Sequence, residues 1–512
     1  MAFKKSRICG LHQRQFMGKI TPQILVTFIN IRKTKGNTIH QQLYEQLKKA
    51  IHEGMLTPGE RLPSSRELSA ELKISRNAVL QVFEQLIMEG FFEGKTGSGT
   101  FVGKSVAGFS RSKSRRAGPN ADTTPIIRQF NHAGLNNAFR HSNNATEPML
   151  PFQQSVPLIS EFPFAAWGRV GAAVHRKMHL LHLAYDDVQG YFPLRKAIAD
   201  HLRISRSIKC DPGQILIVNG TRQALHLAAE MLINKGDQCW IEDPGYPGAV
   251  SAVERFGGQV CPVPVISTGP DIDFAIAHYP KAKLAYVTPS HQFPMGNTMA
   301  LSERIKLLNW AQEHQMWIIE DDYDSEFRYD GRPIPALQGM DKHGSVIYSG
   351  TFSKVLLPAI RLGYLVFPSE AMARRFANGK SIIDGQCNVV TQAIVSDFIT
   401  QGHFSRHIRR MKLLYKKNQD ELVALIKRHL KDQLVPVPVE AGMHFIAWLP
   451  EGLDAGIIAN EALQQNVIVH PVSQYSISTI QRNGLLLGFA GFSFKEMETA
   501  VLILKNVLDN HK

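Results

Sequence analysis

Short apolar segments that alternate with helical stretches constrain the fold of this chain from about residue 149 onward. The apolar segments are Gln214–Val218, Gln238–Glu242, Leu284–Pro289, Trp317–Asp321 and Ser345–Gly350. Helical patterns such as Leu194–Leu202 and Gln223–Ile233 separate them. Strands that alternate with helices in this way predict an α/β fold with a buried, mainly parallel sheet.

Polar residues follow these segments where the predicted strands end. Asn219–Gln223 also opens a helix, and backbone N–H groups at a helix start can bind phosphate. Glu242–Tyr246, Asp321–Tyr323 and Ser349–Lys354 end three other strands. Ligands of open α/β sheets bind beyond the carboxyl ends of the strands, so these residues predict a binding site there.

Lys354 lies in the segment Tyr348–Tyr364, shortly after Thr351 and Ser353 and seven residues before Arg361. An isolated lysine at a strand end suits imine formation with an aldehyde. Pyridoxal 5′-phosphate (PLP) is a cofactor that supplies such an aldehyde. The sequence therefore predicts a PLP site centred on Lys354.

PLP also needs a carboxylate for its ring nitrogen, donors and a cation for its phosphate, a donor for its phenolic oxygen and an aromatic ring against its face. In that order, the predicted residues are Asp321, then Thr221 with Arg361, then Tyr323, then Tyr246. Three further residues belong to the predicted cofactor-binding set: Arg222, Thr351 and Ser353.

Residues 150–500 resemble the class I aminotransferases of fold type I. The matching runs are YDDVQGYFPLRKAI, NGTRQAL, EDPGYPGA, TPSHQFPMG, EDDYDSEFRY and SGTFSKVLLPAIRLGY. The resemblance implies a PLP-dependent fold and a homodimer. It also implies that Tyr185 reaches the phosphate bound by the neighbouring subunit.

Two positions depart from that family. Its members hold the substrate carboxylate with an arginine near the C-terminus, where this chain has Leu486. The usual asparagine beside the cofactor is also missing from Pro289–Gly296, where His291 or Gln292 could replace it or simply pack. Both departures argue against efficient transamination more than against cofactor binding.

The positive charge is concentrated at the other end of the chain. Residues 1–120 carry 20 Lys and Arg against 8 Asp and Glu, which is +12 of the formal net charge of +14. Such an excess is typical of a segment that binds a polyanion, although a solvated basic tail would also produce it.

A helix-turn-helix is predicted within this basic part. An apolar stripe from Ile39 to Ile51 indicates one amphipathic helix. Ser64 and Glu67 form a capping box that begins a second helix, and Ser75 can cap a third. The run Phe91–Val102 then has two β-prone stretches around a glycine-rich tip, which predicts a hairpin wing. Together these features favour DNA binding over a plain helical bundle.

The segment from Leu43 to Val102 closely resembles the winged helix-turn-helix of GntR-family bacterial transcription regulators. A winged helix followed by an aminotransferase-like domain is the order of the MocR-type regulators of that family. The resemblance implies that the wing residue Gly97 lies at the minor groove. It also implies that five residues face the operator: Ser65, Arg66, Ser75, Arg76 and Asn77.

The predicted organisation has four parts: an extension of unknown role at residues 1–36, a DNA-binding domain at 37–103, a flexible linker at 104–148 and an aminotransferase-like domain at 149–512. The five cysteines form no CxxC pair, so neither a zinc site nor a disulfide framework is expected. No apolar run is long enough for a membrane span and no signal peptide is visible, so a cytoplasmic protein is expected.

Three hypotheses account for these features. The first is a PLP-binding, dimeric transcription regulator that senses PLP itself, an amine or an amino acid. The second is a working aminotransferase with an appended DNA-binding domain, against which Leu486 argues. The third is a DNA-binding protein whose enzyme-like part has lost its cofactor, which the joint presence of Lys354, Asp321, Tyr323 and Arg361 disfavours.

Overall fold

The computed structural model describes residues 29–31, 38–95, 97–105, 149–181, 187–329, 334–478 and 483–511. The chain divides into two compact units between residues 131 and 132. Among the described residues, no helix combines the length and apolar character needed to cross a membrane.

In the part of the first unit that the structure describes, three helices are followed by a two-stranded hairpin. Its elements are α1 (Ile39–His52), α2 (Ser65–Leu72), α3 (Arg76–Met88), β1 (Phe92–Lys95) and β2 (Gly99–Val102). The strands are antiparallel, with Phe92 opposite Val102 and Lys95 opposite Gly99. The buried apolar faces of the helices and hairpin form one core. The helices and the wing therefore form as the sequence predicts.

Side-chain caps explain where α2 and α3 begin. The Ser64 hydroxyl accepts from the backbone N–H of Glu67 at 3.2 Å, and the Glu67 carboxylate accepts from the N–H of Ser64 at 2.7 Å. Ser75 caps α3 by accepting from the N–H of Ala78 at 3.2 Å. Lys73, in the left-handed conformation with φ of 52°, ends α2 and turns the chain toward α3.

The second unit is built on an eight-stranded sheet. Its strands, in chain order, are β3 (Ile215–Val218), β4 (Gln238–Asp243), β5 (Gln259–Ile266), β6 (Gly269–Pro270), β7 (Ala282–Val287), β8 (Trp317–Asp322), β9 (Val346–Thr351) and β10 (Gly363–Val366). Their order across the sheet is β3-β10-β9-β8-β7-β4-β5-β6.

The middle of this sheet is parallel, from β9 through β8, β7 and β4 to β5. On the other side of β9, strand β10 is antiparallel to both of its neighbours, β9 and β3. The carboxyl ends of β4, β7, β8 and β9 therefore meet at one edge. Asp243, Asp321 and Thr351 lie at that edge.

Helices cover the sheet and the remaining core. They are α4 (Phe164–Arg176), α5 (Phe192–Ser205), α6 (Thr221–Leu232), α7 (Pro247–Arg255), α8 (Ile272–His278), α9 (Leu301–His314), α10 (Leu337–Met340), α11 (Glu370–Ile383), α12 (Val389–Thr400) and α13 (His403–His429). Separate buried apolar clusters pack on the sheet.

A smaller antiparallel sheet completes the second unit. It consists of β11 (Val435–Val437), β12 (His444–Trp448), β13 (His470–Pro471) and β14 (Gly484–Gly488), in the order β11-β12-β14-β13. Helices α14 (Ala455–Gln464) and α15 (Phe494–Asp509) accompany it. In β14, Leu486 lies opposite Ile446 of β12 and His470 of β13.

Candidate cofactor site and nucleic-acid interface

Lys354 lies in the turn that follows β9, three residues beyond its end. The side chain is partly buried, and its Nζ donates to the backbone carbonyl of Ser155 at 3.3 Å. Burial lowers the pKa of Lys354 to about 8, with the positive charges of Arg222 and Arg361 acting in the same direction and Asp324 opposing them. A lowered pKa increases the neutral fraction of the amine, which is the nucleophilic form.

Asp321 provides a buried carboxylate at the end of β8. Its Oδ2 accepts from the Tyr286 hydroxyl at 2.7 Å, whereas its Oδ1 has no hydrogen-bond partner among the described residues. Burial raises the pKa of Asp321 to about 7, although the bond from Tyr286 partly offsets this. A buried carboxylate with one unpaired oxygen fits a cationic N–H group on a ligand.

The start of α6 and the guanidinium of Arg361 lie side by side. Gly220, with φ of 94°, precedes Thr221, the first residue of α6. Arg361 Nη2 donates to the Asn219 carbonyl at 3.1 Å, and a Cβ at Gly220 would lie 3.8 Å from the Arg361 guanidinium. Backbone N–H groups of a helix start and a guanidinium together suit a phosphate.

Arg361 holds this position from an uncommon backbone conformation. It follows a short 3-10 turn at Pro358–Ile360 and has φ of 52°, in the left-handed region. Residues with a Cβ occupy that region at a cost of about 1–2 kcal/mol. Such outliers are found at functional sites.

The hydroxyls of Thr351 and Ser353 lie between β9 and Lys354. Thr351 Oγ1 accepts from the backbone N–H of Ser353 at 3.2 Å. Ser353 Oγ is buried and has no hydrogen-bond partner among the described residues. It is therefore available to a ligand beside Lys354.

Tyr246 and Tyr323 both lie near Phe293, an aromatic residue between β7 and α9. The Tyr246 and Phe293 ring centroids are 6.0 Å apart, and those of Tyr323 and Phe293 are 6.1 Å apart. Burial raises the pKa of Tyr246, while a hydrogen bond with the Arg222 side chain acts against this shift. Arg222 is thus linked to the ring predicted to face the cofactor. Tyr185 lies outside the described residues.

The two candidates for the missing asparagine have different surroundings. The Gln292 side-chain amide donates to Glu242 Oε2 at 3.1 Å and to the Pro244 carbonyl at 3.0 Å, which makes it part of the packing around β4. His291 Nδ1 lies 3.0 Å from Asp324 Oδ1 and 3.1 Å from the Tyr323 hydroxyl. His291 is therefore the one of the two that contacts a predicted cofactor residue.

Leu486 belongs to the apolar cluster on which the two tyrosines, Tyr246 and Tyr323, pack. It is fully buried within this cluster. We call its buried members the apolar wall: Phe293, Ile446, Val472, Tyr475 and Leu486.

A loop beside the smaller sheet is anchored on Asp243 at the end of β4. Asp243 Oδ1 accepts from the Ser476 hydroxyl at 2.6 Å and from the Ile477 N–H at 2.8 Å. Its Oδ2 accepts from the N–H of Ser478 at 2.9 Å and also from the Ser478 hydroxyl. One carboxylate thus holds three consecutive residues, here called the anchored loop, against the large sheet.

Sequence reasoning assigned no role to Tyr286, Ser155 or Asp324. Tyr286 lies within a predicted strand, and its hydroxyl in an otherwise apolar run was the available signal. Asp324 lies in the quoted run EDDYDSEFRY, one residue after Tyr323. Nothing local in the sequence marks the Ser155 carbonyl as the acceptor for Lys354, because 199 residues separate the two.

In the first unit, the residues predicted to face DNA lie at the start of α2 and α3. Arg66, Arg76 and Asn77 are exposed, as is Ser75. Arg76 Nε donates to the Ser65 hydroxyl at 3.4 Å, which brings the two helix starts together. Helix starts with exposed basic and amide side chains suit phosphate and base contacts.

A basic side chain from outside the wing packs against it. Gly97, with φ of 76°, is exposed in the turn between β1 and β2. A Cβ at Gly99 would lie 3.3 Å from Nε of Arg61. Arg61, which sequence reasoning did not single out, thus packs against the wing and adds a positive charge there.

Comparison with known proteins agrees with both units. Residues 39–102 match the bacterial regulatory proteins of the gntR family, and residues 164–502 match the aminotransferase class I and II family. The probable rhizopine catabolism regulatory protein MocR of Rhizobium meliloti is 37% identical over 470 residues, which cover 91% of this chain and 93% of that protein.

The chain belongs to the MocR-type transcriptional regulators. It combines a GntR winged helix with a fold type I aminotransferase-like domain, which confirms the predicted family and fold class. Another relative of this MocR-type regulator is the pyridoxine biosynthesis transcriptional regulator PdxR of Corynebacterium glutamicum, 29% identical over 465 residues, or 90% of this chain and 94% of that protein.

Solved aminotransferases share the fold of this MocR-type regulator. The kynurenine aminotransferase of Pyrococcus horikoshii has a TM-score of 0.69 at 25% identity, and the match covers 76% of this chain and 98% of that one. The α-aminoadipate aminotransferase LysN of Thermus thermophilus has a TM-score of 0.68 at 25% identity, covering 75% and 98%. That enzyme was solved with N-(5′-phosphopyridoxyl)-L-leucine.

Proposed function

We propose that this MocR-type regulator binds PLP at Lys354 and that its affinity for DNA depends on which ligand occupies that site. One observation carries the proposal. Lys354, with its lowered pKa, follows β9 at the same sheet edge as Asp321 of the neighbouring strand β8, and Asp321 Oδ1 is buried with no hydrogen-bond partner among the described residues. A buried polar atom without a partner is costly, so a ligand with an N–H group would stabilise this arrangement.

PLP supplies an aldehyde that bonds reversibly to amines and a ring that withdraws electrons. Lys354 would hold the aldehyde end, while Asp321 Oδ1 would accept from the ring nitrogen. Thr221, Arg222 and Arg361 would bind the phosphate at the start of α6. The remaining predicted contacts are Tyr246 against the ring, the Tyr323 hydroxyl at the phenolic oxygen, and the hydroxyls of Thr351 and Ser353.

We further propose how the chain meets DNA. Residues 37–103 would form the DNA-binding domain, joined by a linker at 104–148 to the cofactor domain at 149–512. Arg66, Arg76 and Asn77, with Ser65 and Ser75, would contact the operator. Gly97 would allow the backbone of the wing to approach the minor groove. The basic excess of residues 1–120 supports this orientation because it attracts phosphates.

The working form in this proposal is a homodimer in the bacterial cytoplasm. Tyr185 would reach the phosphate held by the other subunit, and two DNA-binding domains would read two half-sites. The signal would be PLP itself, an amine or an amino acid. A ligand changes the DNA affinity of such a dimer only if it binds two states of the protein differently.

The second candidate is an active aminotransferase with an appended DNA-binding domain. The shared fold with solved aminotransferases and the low pKa of Lys354 favour it. Leu486 argues against it, because a leucine cannot form the paired hydrogen bonds that arginine offers a carboxylate. Production of a keto acid by purified protein would support this candidate.

The proposal is tested by trapping the covalent link. Purified protein is incubated with PLP, reduced with borohydride, digested and analysed by mass spectrometry. The expected result is one added pyridoxyl group on Lys354, which Lys354→Ala abolishes. Unmodified Lys354 in wild-type protein at saturating PLP would overturn the cofactor assignment. DNA footprinting upstream of the gene, with and without PLP, tests the regulatory half.

A further inference from the structure

The side of the site beyond Tyr246 and Tyr323 is closed by the apolar wall. Leu486 lies at the centre of β14, with Ile446 and His470 directly opposite on the two neighbouring strands. Residues opposite one another in an antiparallel sheet point to the same face. Because Tyr246 and Tyr323 are predicted to contact the cofactor and pack on the apolar wall, we take this wall as the boundary of the ligand site on their side.

Positive charge is absent from this wall and concentrated elsewhere. The apolar wall consists of five uncharged side chains, and the residues directly opposite Leu486 on the neighbouring strands are Ile446 and His470. Arg361 is bound to the Asn219 carbonyl at the start of α6, and Arg222 is bonded to Tyr246 on the same side. Both guanidinium groups are therefore placed for the phosphate.

The imidazoles near the wall do not replace a guanidinium. The His444 ring lies 5.6 Å from Phe293, and burial lowers the pKa of His444 well below its usual range, so this ring is neutral at pH 7. His291 Nδ1 lies 3.0 Å from the Asp324 carboxylate and is therefore already engaged by that side chain. His470 lies opposite Leu486, but the two nitrogens of an imidazole point in different directions and cannot present two parallel N–H groups to a carboxylate.

A ligand carboxylate at this wall would lose its water without gaining the paired hydrogen bonds of a guanidinium. Burial of an unpaired carboxylate is strongly unfavourable, whereas burial of an apolar group is favourable. From this geometry we infer that the effector is a primary amine with an apolar body and no carboxylate on the carbon that bears the amine. This inference rests on the proposed cofactor function and specifies its ligand.

The experiment compares three probes of nearly the same shape: 2-phenylethylamine, L-phenylalanine and L-phenylalanine methyl ester. Each is titrated into PLP-loaded full-length protein, and both the visible absorption spectrum and calorimetric heat are recorded. The expected half-saturating concentration of 2-phenylethylamine is at least about tenfold lower than that of L-phenylalanine, because desolvating the carboxylate costs more than about 1.4 kcal/mol. The ester, which has similar bulk without the carboxylate charge, is expected to act close to the amine.

Leu486→Arg supplies the missing guanidinium and is expected to lower the half-saturating concentration of L-phenylalanine. Leu486→Met is the control and is expected to leave 2-phenylethylamine the more potent of the two ligands, as in the wild type. The wild-type comparison stands even where the arginine variant fails to fold. Equal potency of L-phenylalanine and 2-phenylethylamine would overturn the inference, as would the absence of any response to either amine. If either of these results is found while Lys354 still binds PLP, the proposed function stands and only the inference about the effector fails. If Lys354 does not bind PLP, both the proposed function and the inference fail.

Discussion

The Tyr286 hydroxyl lies 2.7 Å from Asp321 Oδ2, and the two residues belong to adjacent parallel strands, β7 and β8. The bond fixes one oxygen of the carboxylate, and the other has no hydrogen-bond partner among the residues that the structure describes. It also favours the ionised form of Asp321, whose pKa burial raises to about 7. Tyr286 therefore helps to keep negative charge where the proposed cofactor needs it.

We expect Tyr286→Phe to weaken PLP binding by about tenfold to a hundredfold, since hydrogen bonds to charged groups contribute about 1.5–3 kcal/mol. Loss of the hydroxyl raises the pKa of Asp321 further, so more of the carboxyl is neutral at pH 7. Asp321→Ala should weaken binding more. Titration of PLP followed by absorbance measures both, with Tyr279→Phe, after α8, as the control. Unchanged affinity in both Tyr286→Phe and Asp321→Ala would place the ring nitrogen elsewhere.

The pKa of Lys354 predicts how fast PLP is captured at each pH. Only the neutral amine adds to an aldehyde, so below about pH 8 the rate should rise about tenfold per pH unit and then level off. An ordinary lysine, with a pKa of about 10.4, would continue to gain rate beyond pH 9. Stopped-flow absorbance from pH 6 to 9.5 gives the profile.

Asp324→Asn sharpens the same test. Asp324 raises the pKa of Lys354, so its neutralisation should lower that pKa and move the levelling-off to lower pH. A profile that moves to higher pH, or that still climbs at pH 9.5 in the wild type, would contradict the environment described for Lys354.

Gly220 tests the phosphate end of the site. An alanine there would have an unfavourable φ of 94°, and its Cβ would lie in van der Waals contact with the Arg361 guanidinium, 3.8 Å away. We expect Gly220→Ala to weaken PLP binding by about 1–3 kcal/mol, partly through backbone strain. Gly236→Ala is a matched control, because Gly236 has φ of 90° and no atom within 4 Å of its Cβ position. Equal PLP affinity of the two variants would contradict a phosphate site formed by Gly220 and Arg361 at the start of α6.

Arg76→Ala should weaken operator binding by about 1–3 kcal/mol if the guanidinium reads a base, and the loss should depend on sequence. If Arg76 contacts phosphate instead, affinity should fall on every duplex and the salt dependence should become shallower. Lys49→Ala removes a positive charge from α1 and serves as the control, since Lys49 faces Glu53. Fluorescence anisotropy at two salt concentrations separates the cases, and unchanged binding by Arg76→Ala would exclude it from the interface.

The elements predicted from local sequence form close to where they were expected. Ser64, Glu67 and Ser75 cap their helices because capping depends on residues three positions apart. The buried strands were visible as apolar runs, and their polar ends met at one edge because parallel strands share direction. Sequence could not predict contacts made across the fold, such as Tyr286 with Asp321 or Lys354 with Ser155, because no local pattern encodes them.

Asp243 has a consequence for how this domain can move. Its carboxylate accepts hydrogen bonds from Ser476, Ile477 and Ser478. The anchored loop can therefore separate from β4 only if several hydrogen bonds break together. Intermediate positions keep few of those bonds and are disfavoured. Any rearrangement of the anchored loop would therefore have to break these bonds together, and small displacements of it are resisted.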